Sequence, residues 1–184
     1  GGAGTLPLPQ RARRTFPRRE GCLKVGAVLS VAPVTFRPIG AGDLQLLRQF
    51  VRGLSRETAY KRLLSGRTPT EEELGRWTAI DPSREAAVVA TIEADGEECL
   101  IGVARYVMQS RDDTDFAIVV ADAWQRRGVG RALMARLIDQ AREHGIRRLA
   151  GITLASNGAM LSLAREFGFR LERQSMATTL TLDL

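Results

Sequence analysis

An α/β domain with a central mixed, mostly antiparallel sheet flanked by helices is the fold class this sequence predicts, on three observations. A β-meander pattern runs over residues 86–120, where the turn signal Asp95-Gly96 separates two β-rich runs. A strand, a basic loop, a helix and a second strand follow over 114–154, which makes one right-handed crossover and so one parallel pair. At 184 residues and 44% apolar content, the chain can bury one good core and suits a single domain.

Taken in order, residues 1–33 read as a disordered basic leader. Pro7, Pro9 and Pro17 interrupt it, arginines recur from Arg11 to Arg19, and no core periodicity is present. Lys24 and Gly26 leave the apolar run before Val31 too short for a secretion signal. A domain is expected over 34–184. Thr35–Ile39 reads as a strand, with Pro38 marking an edge or an end. Gly40, Gly42 and Asp43 open a helix with Leu44, Leu47, Val51 and Leu54 on one side. Ser55 starts a second helical piece, SRETAYKRLL, closed by Ser65-Gly66. Thr70 and Glu73 make a capping box for a third, reaching Trp77 and Ile80. Its acids Glu71, Glu72 and Glu73 suit a first turn and take no catalytic role.

The β runs Ala86–Ala94, Cys99–Met108 and Thr114–Val120 come next. A long helix with Val129, Leu133, Leu137 and Ala141 on one face closes at His144, Gly145 being its C-terminal cap. Arg148–Leu154 is a strand, and Asn157 caps a helix bearing Met160, Leu163, Ala164 and Phe167. Phe169–Leu171 and Ser175–Leu182 finish as strands.

The formal charge of +6 belongs mostly to the leader. Residues 1–34 carry six Lys+Arg against one acid, and the remainder carries 21 against 20. A nucleic-acid face is therefore not expected. Cys22 and Cys99 are too few for a disulfide framework and lack metal-ligand spacing, so they read as free thiols in a reducing cytosol. No apolar run approaches the roughly 20 residues that span a bilayer. A cytoplasmic protein with no membrane partner and no metal is expected.

The chemistry gathers at the loop after Val120. Gln125, Arg126, Arg127, Gly128, Val129, Gly130 and Arg131 lead into a helix N-terminus, whose unpaired N–H groups and dipole suit an anion. Leu133 stands where a dinucleotide fingerprint needs a third small residue, and no Gly-Lys-Ser/Thr exists for a P-loop. The remaining pattern, Gln125-x-x-Gly128-x-Gly130, resembles the signature loop of the GNAT acyltransferase superfamily. With Asn157-Gly-Ala-Met and the closing Glu-Phe-Gly168-Phe169, the resemblance covers about 35–182. LSRETAYKRLL (54–64), TAIDPSREAAVVA (78–90) and FAIVVADAWQRRGVGRALM resemble more narrowly the bacterial Pat-type protein lysine acetyltransferases.

That resemblance implies a GNAT fold and acetyl-CoA as co-substrate, with a lysine of a protein, such as an acyl-CoA synthetase, as acceptor. It implies that the backbones of Ile118, Val119 and Val120 pair with the pantetheine arm and that residues 126–131 hold the pyrophosphate. Asn157 matches an asparagine that contacts the arm. Asp115 stands where the family commonly has a glutamate, and strand alternation puts it on the face of Ala117 and Val119. It is the expected general base, taking the proton of a lysine whose ordinary pKa is about 10.4. Val119 or Val120 N–H is expected to polarise the thioester carbonyl. Where many family members have a tyrosine as general acid this chain has Ala164, and no acid is nominated. His144 reads as a cation at a helix C-terminus. Acetylation of a small-molecule amine, or a non-catalytic acyl-CoA-binding regulatory module, stay open as alternatives.

Overall fold

The computed structural model describes residues 33–184; the leader expected over 1–33 falls, Pro33 apart, outside them. The strands are β1 (Thr35–Pro38), β2 (Glu85–Ala94), β3 (Glu97–Ser110), β4 (Asp113–Val120), β5 (Arg148–Leu154), β6 (Arg170–Gln174) and β7 (Ala177–Asp183). The helices are α1 (Leu44–Gly53), α2 (Arg56–Leu63), α3 (Glu71–Thr78), α4 (Val129–Glu143) and α5 (Gly158–Glu166). Among the described residues the strands form one sheet in the order β1-β2-β3-β4-β5-β7-β6. Every neighbouring pair is antiparallel except β4–β5, the two strands that α4 connects. The mixed, mostly antiparallel sheet and its single crossover are as the sequence predicts.

Local chemistry sets the element ends. Asp95 and Gly96 both take positive φ, 53° and 75°, which is the backbone a tight β2–β3 hairpin needs. The Thr70 hydroxyl accepts from Glu73 N–H at 3.2 Å while the Glu73 carboxylate accepts from Thr70 N–H at 2.8 Å, completing the capping box of α3. Ser55 caps α2 by accepting from Thr58 N–H at 3.1 Å.

Alternation along the strands separates two faces. Gly102, Val120 and Phe116 face α4, which buries Val129, Leu133, Met134, Leu137, Ile138 and Ala141. Each of these larger apolar side chains contributes about 1.5–3 kcal/mol by leaving water. A Cβ on Gly102 would stand 2.9 Å from Leu133 Cδ1, so the helix lies close on the sheet. Val103, Arg105 and Val119 face the other way, towards α1, α2 and α3. A Cβ on Gly151 would meet Phe116 Cε1 at 2.7 Å. The bare backbone of β5 thus admits the Phe116 ring, which also leans on Phe169 at 5.1 Å between centroids. This contact holds β4 to β5 next to their one level of pairing.

Cys99 is 2% exposed within β3 and is disulfide-bonded, which corrects the expectation of free thiols; Cys22 lies outside the described residues. The free-thiol argument for a reducing compartment therefore lapses. No described helix is long and apolar enough to cross a membrane.

Candidate active site

β4 and β5 share one register pair, Asp115 with Ala150, and then part. They part because β4 stays in register with β3 up to Val120, while β5 pairs with β7 along its whole length. The resulting gap exposes one edge of β4, and hydrogen-bond alternation shows which residues use it. Ala121 N–H donates to Ile101 C=O at 2.8 Å. In an antiparallel ladder bonded pairs alternate, so Val119–Val103 and Ala117–Arg105 are bonded as well. Val119 therefore directs its N–H and C=O to β3, whereas Ile118 and Val120 direct theirs towards β5. The expectation of three backbones facing an extended arm narrows to two, and Val119 cannot donate to a group in the gap. The cleft between the strands, about 50 Å³, is lined by Ala117, Ile118, Thr153, Asn157 and Met160, with Arg62 reaching it from α2.

The loop beyond β4 is bent hard. Arg126 and Gly128 take φ of 58° and 84°. A side-chain-bearing residue in that region costs about 1–2 kcal/mol, a strain that gathers at functional sites. The N-cap residue Gly128 has no side chain with which to cap α4, and the N–H groups of Val129, Gly130 and Arg131 have no helical carbonyl to bond and point outward with the positive dipole end. A Cβ on Gly130 would meet Leu163 and Val120 at 3.8 Å, which is ordinary contact. Alanine would thus fit and would favour the helix by about 1 kcal/mol. Packing therefore does not require glycine at this position. Arg127 stacks 5.3 Å from the Trp124 ring, and Arg131 pairs with Glu166.

Gln125 turns inward. Its Nε2 donates to Val120 C=O at 3.1 Å and to Thr58 Oγ1 at 3.2 Å. Beside it the Asp122 carboxylate accepts from Ser55 N–H at 3.0 Å and from the Ser55 and Thr58 hydroxyls at 2.7 Å each. Burial pushes Asp122 up, but these donors together outweigh it and hold its carboxyl below the usual range. The N-terminus of α2 is in this way tied to the loop.

On the opposite face of β4 lies a cavity of about 660 Å³ under α1, α2 and α3, with Val103 and Val119 in its floor and Tyr60 and Trp77 in its walls. Two arginines reach into it. Arg105 pairs with Glu85 at 2.8 Å. Arg62 stacks 5.9 Å from the Trp77 ring, and burial, reinforced by the charge of Arg105, pulls its pKa down to about 10.

Residues 52–169 match the Acetyltransferase (GNAT) family. The chain belongs to that family. An acetyltransferase of Pseudomonas aeruginosa is 33% identical over 138 residues, covering 74% of each chain. The acetyltransferase Pat of Mycolicibacterium smegmatis is 31% identical over 147 residues, covering 79% of this chain and 44% of its own length. Among solved structures, the GNAT domain of Streptomyces lividans PAT superposes with a TM-score of 0.74 at 28% identity, covering 82% of this chain and 90% of that one. An acetyltransferase of Salmonella typhimurium, solved with its cofactor acetyl-CoA, shares the fold with a TM-score of 0.67 at 21% identity, over 82% and 94% of the two chains.

Within this GNAT domain the residues marked by sequence fall into three groups. Ile118, Val120, Gly128, Val129 and Gly130 border the β4 gap and the helix end beside it. Asn157 lines the cleft, its Oδ1 accepting from Met160 N–H at 3.3 Å and its Nδ2 donating to Thr153 Oγ1 at 3.0 Å. Asp115 is exposed at the start of β4, on the face of Ala117, Val119 and the large cavity, and lines neither cavity. His144 bonds the Tyr106 hydroxyl through Nδ1, a structural pairing at the end of α4. Ala164 is fully buried in the core. Sequence reasoning missed Arg62, Arg105 and Asp122. Nothing in KRLL or ADAW separates them from solvated charges, because their partners come from other elements.

Proposed function

We propose that this domain transfers an acetyl group from acetyl-CoA to the side-chain amine of a lysine in a protein, such as an acyl-CoA synthetase. The observation that carries the reading is the parted β4 and β5 beside an uncapped helix end, with a large cavity on the other face of the same strand. Acyl donor and acceptor can then meet across β4. The relation to Pat of M. smegmatis and to the S. lividans PAT domain supports the protein acceptor. So do Ile152 and Tyr60, large apolar residues 62% and 46% exposed that border the cleft and the cavity.

Bound there, acetyl-CoA supplies a thioester carbonyl activated for attack. Arg126, Arg127, Gly128, Val129, Gly130 and Arg131 hold its pyrophosphate through first-turn N–H groups and guanidinium charge. Ile118 and Val120 pair with the arm as a strand would, and Asn157 borders it. Gln125 acts from behind, holding the Val120 carbonyl and α2. One of the two gap-facing N–H groups polarises the carbonyl. Asp115, exposed at the start of β4 and on the acceptor side of the strand, is the base in this reading, taking the lysine proton through water and contributing roughly 10²–10⁴ in rate.

The test is mass spectrometry of bacterial lysate proteins incubated with the enzyme and isotope-labelled acetyl-CoA. Enzyme-dependent label on lysine side chains is expected. Label confined to small amines, or none above the spontaneous background, overturns the reading.

A further inference from the structure

The walls of the large cavity carry Arg52, Arg56, Arg62, Arg67 and Arg105 against the single acid Glu57. Most of these charges are answered: Arg52 lies 3.6 Å from Glu71, Arg67 bonds Glu73 at 2.6 Å, Arg105 bonds Glu85 at 2.8 Å, and Glu57 pairs with Lys61. Arg62 is different. It makes no hydrogen bond or ion pair among the described residues, and its neighbours are the Trp77 ring and the repelling charge of Arg105. A packed guanidinium without an anion is costly, and its planar fork fits a carboxylate. Arg62 also lines both cavities, the large one and the cleft between β4 and β5, and among the described residues it alone does so. An anion held by it would sit where donor and acceptor meet.

The acceptor is itself a cation until it loses its proton. A bare ammonium entering a space faced by Arg62 and Arg105 is repelled, whereas one that brings a carboxylate is not. We propose that Arg62 binds a carboxylate presented beside the acceptor amine, so that the preferred substrate is a lysine with an acidic neighbour in its chain. This rests on the lysine acetyltransfer reading above and specifies its substrate.

The experiment compares two short peptides, one with glutamate next to the lysine and one with glutamine there, as substrates of the wild type, Arg62→Gln and Arg62→Lys. A parallel pair with norleucine in place of lysine cannot be acetylated and is titrated by calorimetry. The glutamate peptide is expected to exceed its twin by about tenfold or more in kcat/KM, mainly through KM, the size of a charge-assisted hydrogen bond. The preference falls as salt rises. It drops to near unity in Arg62→Gln and is partly kept in Arg62→Lys. Equal behaviour of the twins in the wild type, in kinetics and in norleucine binding, overturns the proposal without reference to any variant. A preference that persists in Arg62→Gln overturns the role of this arginine. If no lysine peptide is acetylated but the norleucine pair shows an Arg62-dependent preference, the carboxylate site stands and the protein-lysine reading falls.

Discussion

The two sides of β4 are built from different materials. Towards β5 and α4 the site is backbone: the open edge of Ile118 and Val120, the bent loop at Arg126 and Gly128, and the first-turn N–H groups of α4. Towards α1, α2 and α3 it is side chain: Arg62 on Trp77, Arg105 on Glu85, and Val119 in the floor. A backbone site serves a ligand that never changes, since its donors are fixed by the fold and indifferent to most substitutions. A side-chain site can be re-specified one residue at a time. The difference predicts that mutations on the two sides separate coenzyme affinity from acceptor chemistry.

The largest expected effect is on the acceptor side. Asp115→Asn keeps the shape and removes the charge, so turnover should fall by roughly 10²–10⁴ while acetyl-CoA affinity hardly moves. Rate–pH profiles and calorimetry measure the two quantities independently. In Asp115→Glu, which restores the residue common in the family, activity should be retained or rise. Near wild-type turnover with unchanged pH dependence in Asp115→Asn would leave the carboxylate a solvated strand end and deprive the side-chain face of its base.

On the backbone side the sensitive residue is Gly130. Its Cβ position meets only ordinary contacts, and glycine in a helix is unfavourable, so Gly130→Ala should not lower the melting temperature. A side chain standing over the helix end should nevertheless weaken acetyl-CoA binding by about tenfold or more, the worth of one lost charge-assisted hydrogen bond. Calorimetry showing unchanged affinity would sink the pyrophosphate assignment and, with it, the contrast between the two faces.

The same contrast explains what could be read from the chain. Loop, glycines and helix start lie within 114–141, and glycine spacing is visible without a structure, so the strand–loop–helix that carries the proposed coenzyme side was legible. The meander was legible for the same reason, its turn residues and strands being local. The proposed acceptor side draws Arg62, Trp77, Glu85 and Arg105 from four elements, and only the fold shows that Arg105 finds Glu85 while Arg62 finds a ring and no anion. Val119 shows a finer limit. Period two places its side chain correctly, but which of two alternating residues turns its N–H to the gap depends on the ladder with β3, set by the register of Ala121 on Ile101. Gln125 belongs to the loop signature, yet its amide holds Thr58 and Val120, a partner 67 residues away that no spacing reveals.

Asp122 joins the two sides, and changing it gives the smallest and sharpest effect. Its carboxylate accepts three hydrogen bonds from Ser55 and Thr58 and so fixes the start of α2, the helix that carries Arg62. Asp122→Asn keeps one acceptor oxygen and should cost about 1 kcal/mol of stability, modest because the residue is exposed. The sign with pH follows from the direction of its shift. A carboxyl held below its ordinary value adds stability that is present above the unfolded pKa of about 3.9 and is lost as pH falls through the folded value. Wild type and variant should therefore differ in melting temperature at neutral pH and converge in acid. If α2 is positioned through this carboxylate, the variant should also raise the acceptor KM severalfold, since Arg62 would drift, while the loop backbone keeps its hold on acetyl-CoA. An equal loss of affinity for acetyl-CoA would show that the tether supports the loop instead. An unchanged acceptor KM would make the two faces of β4 independent, each maintained by its own elements.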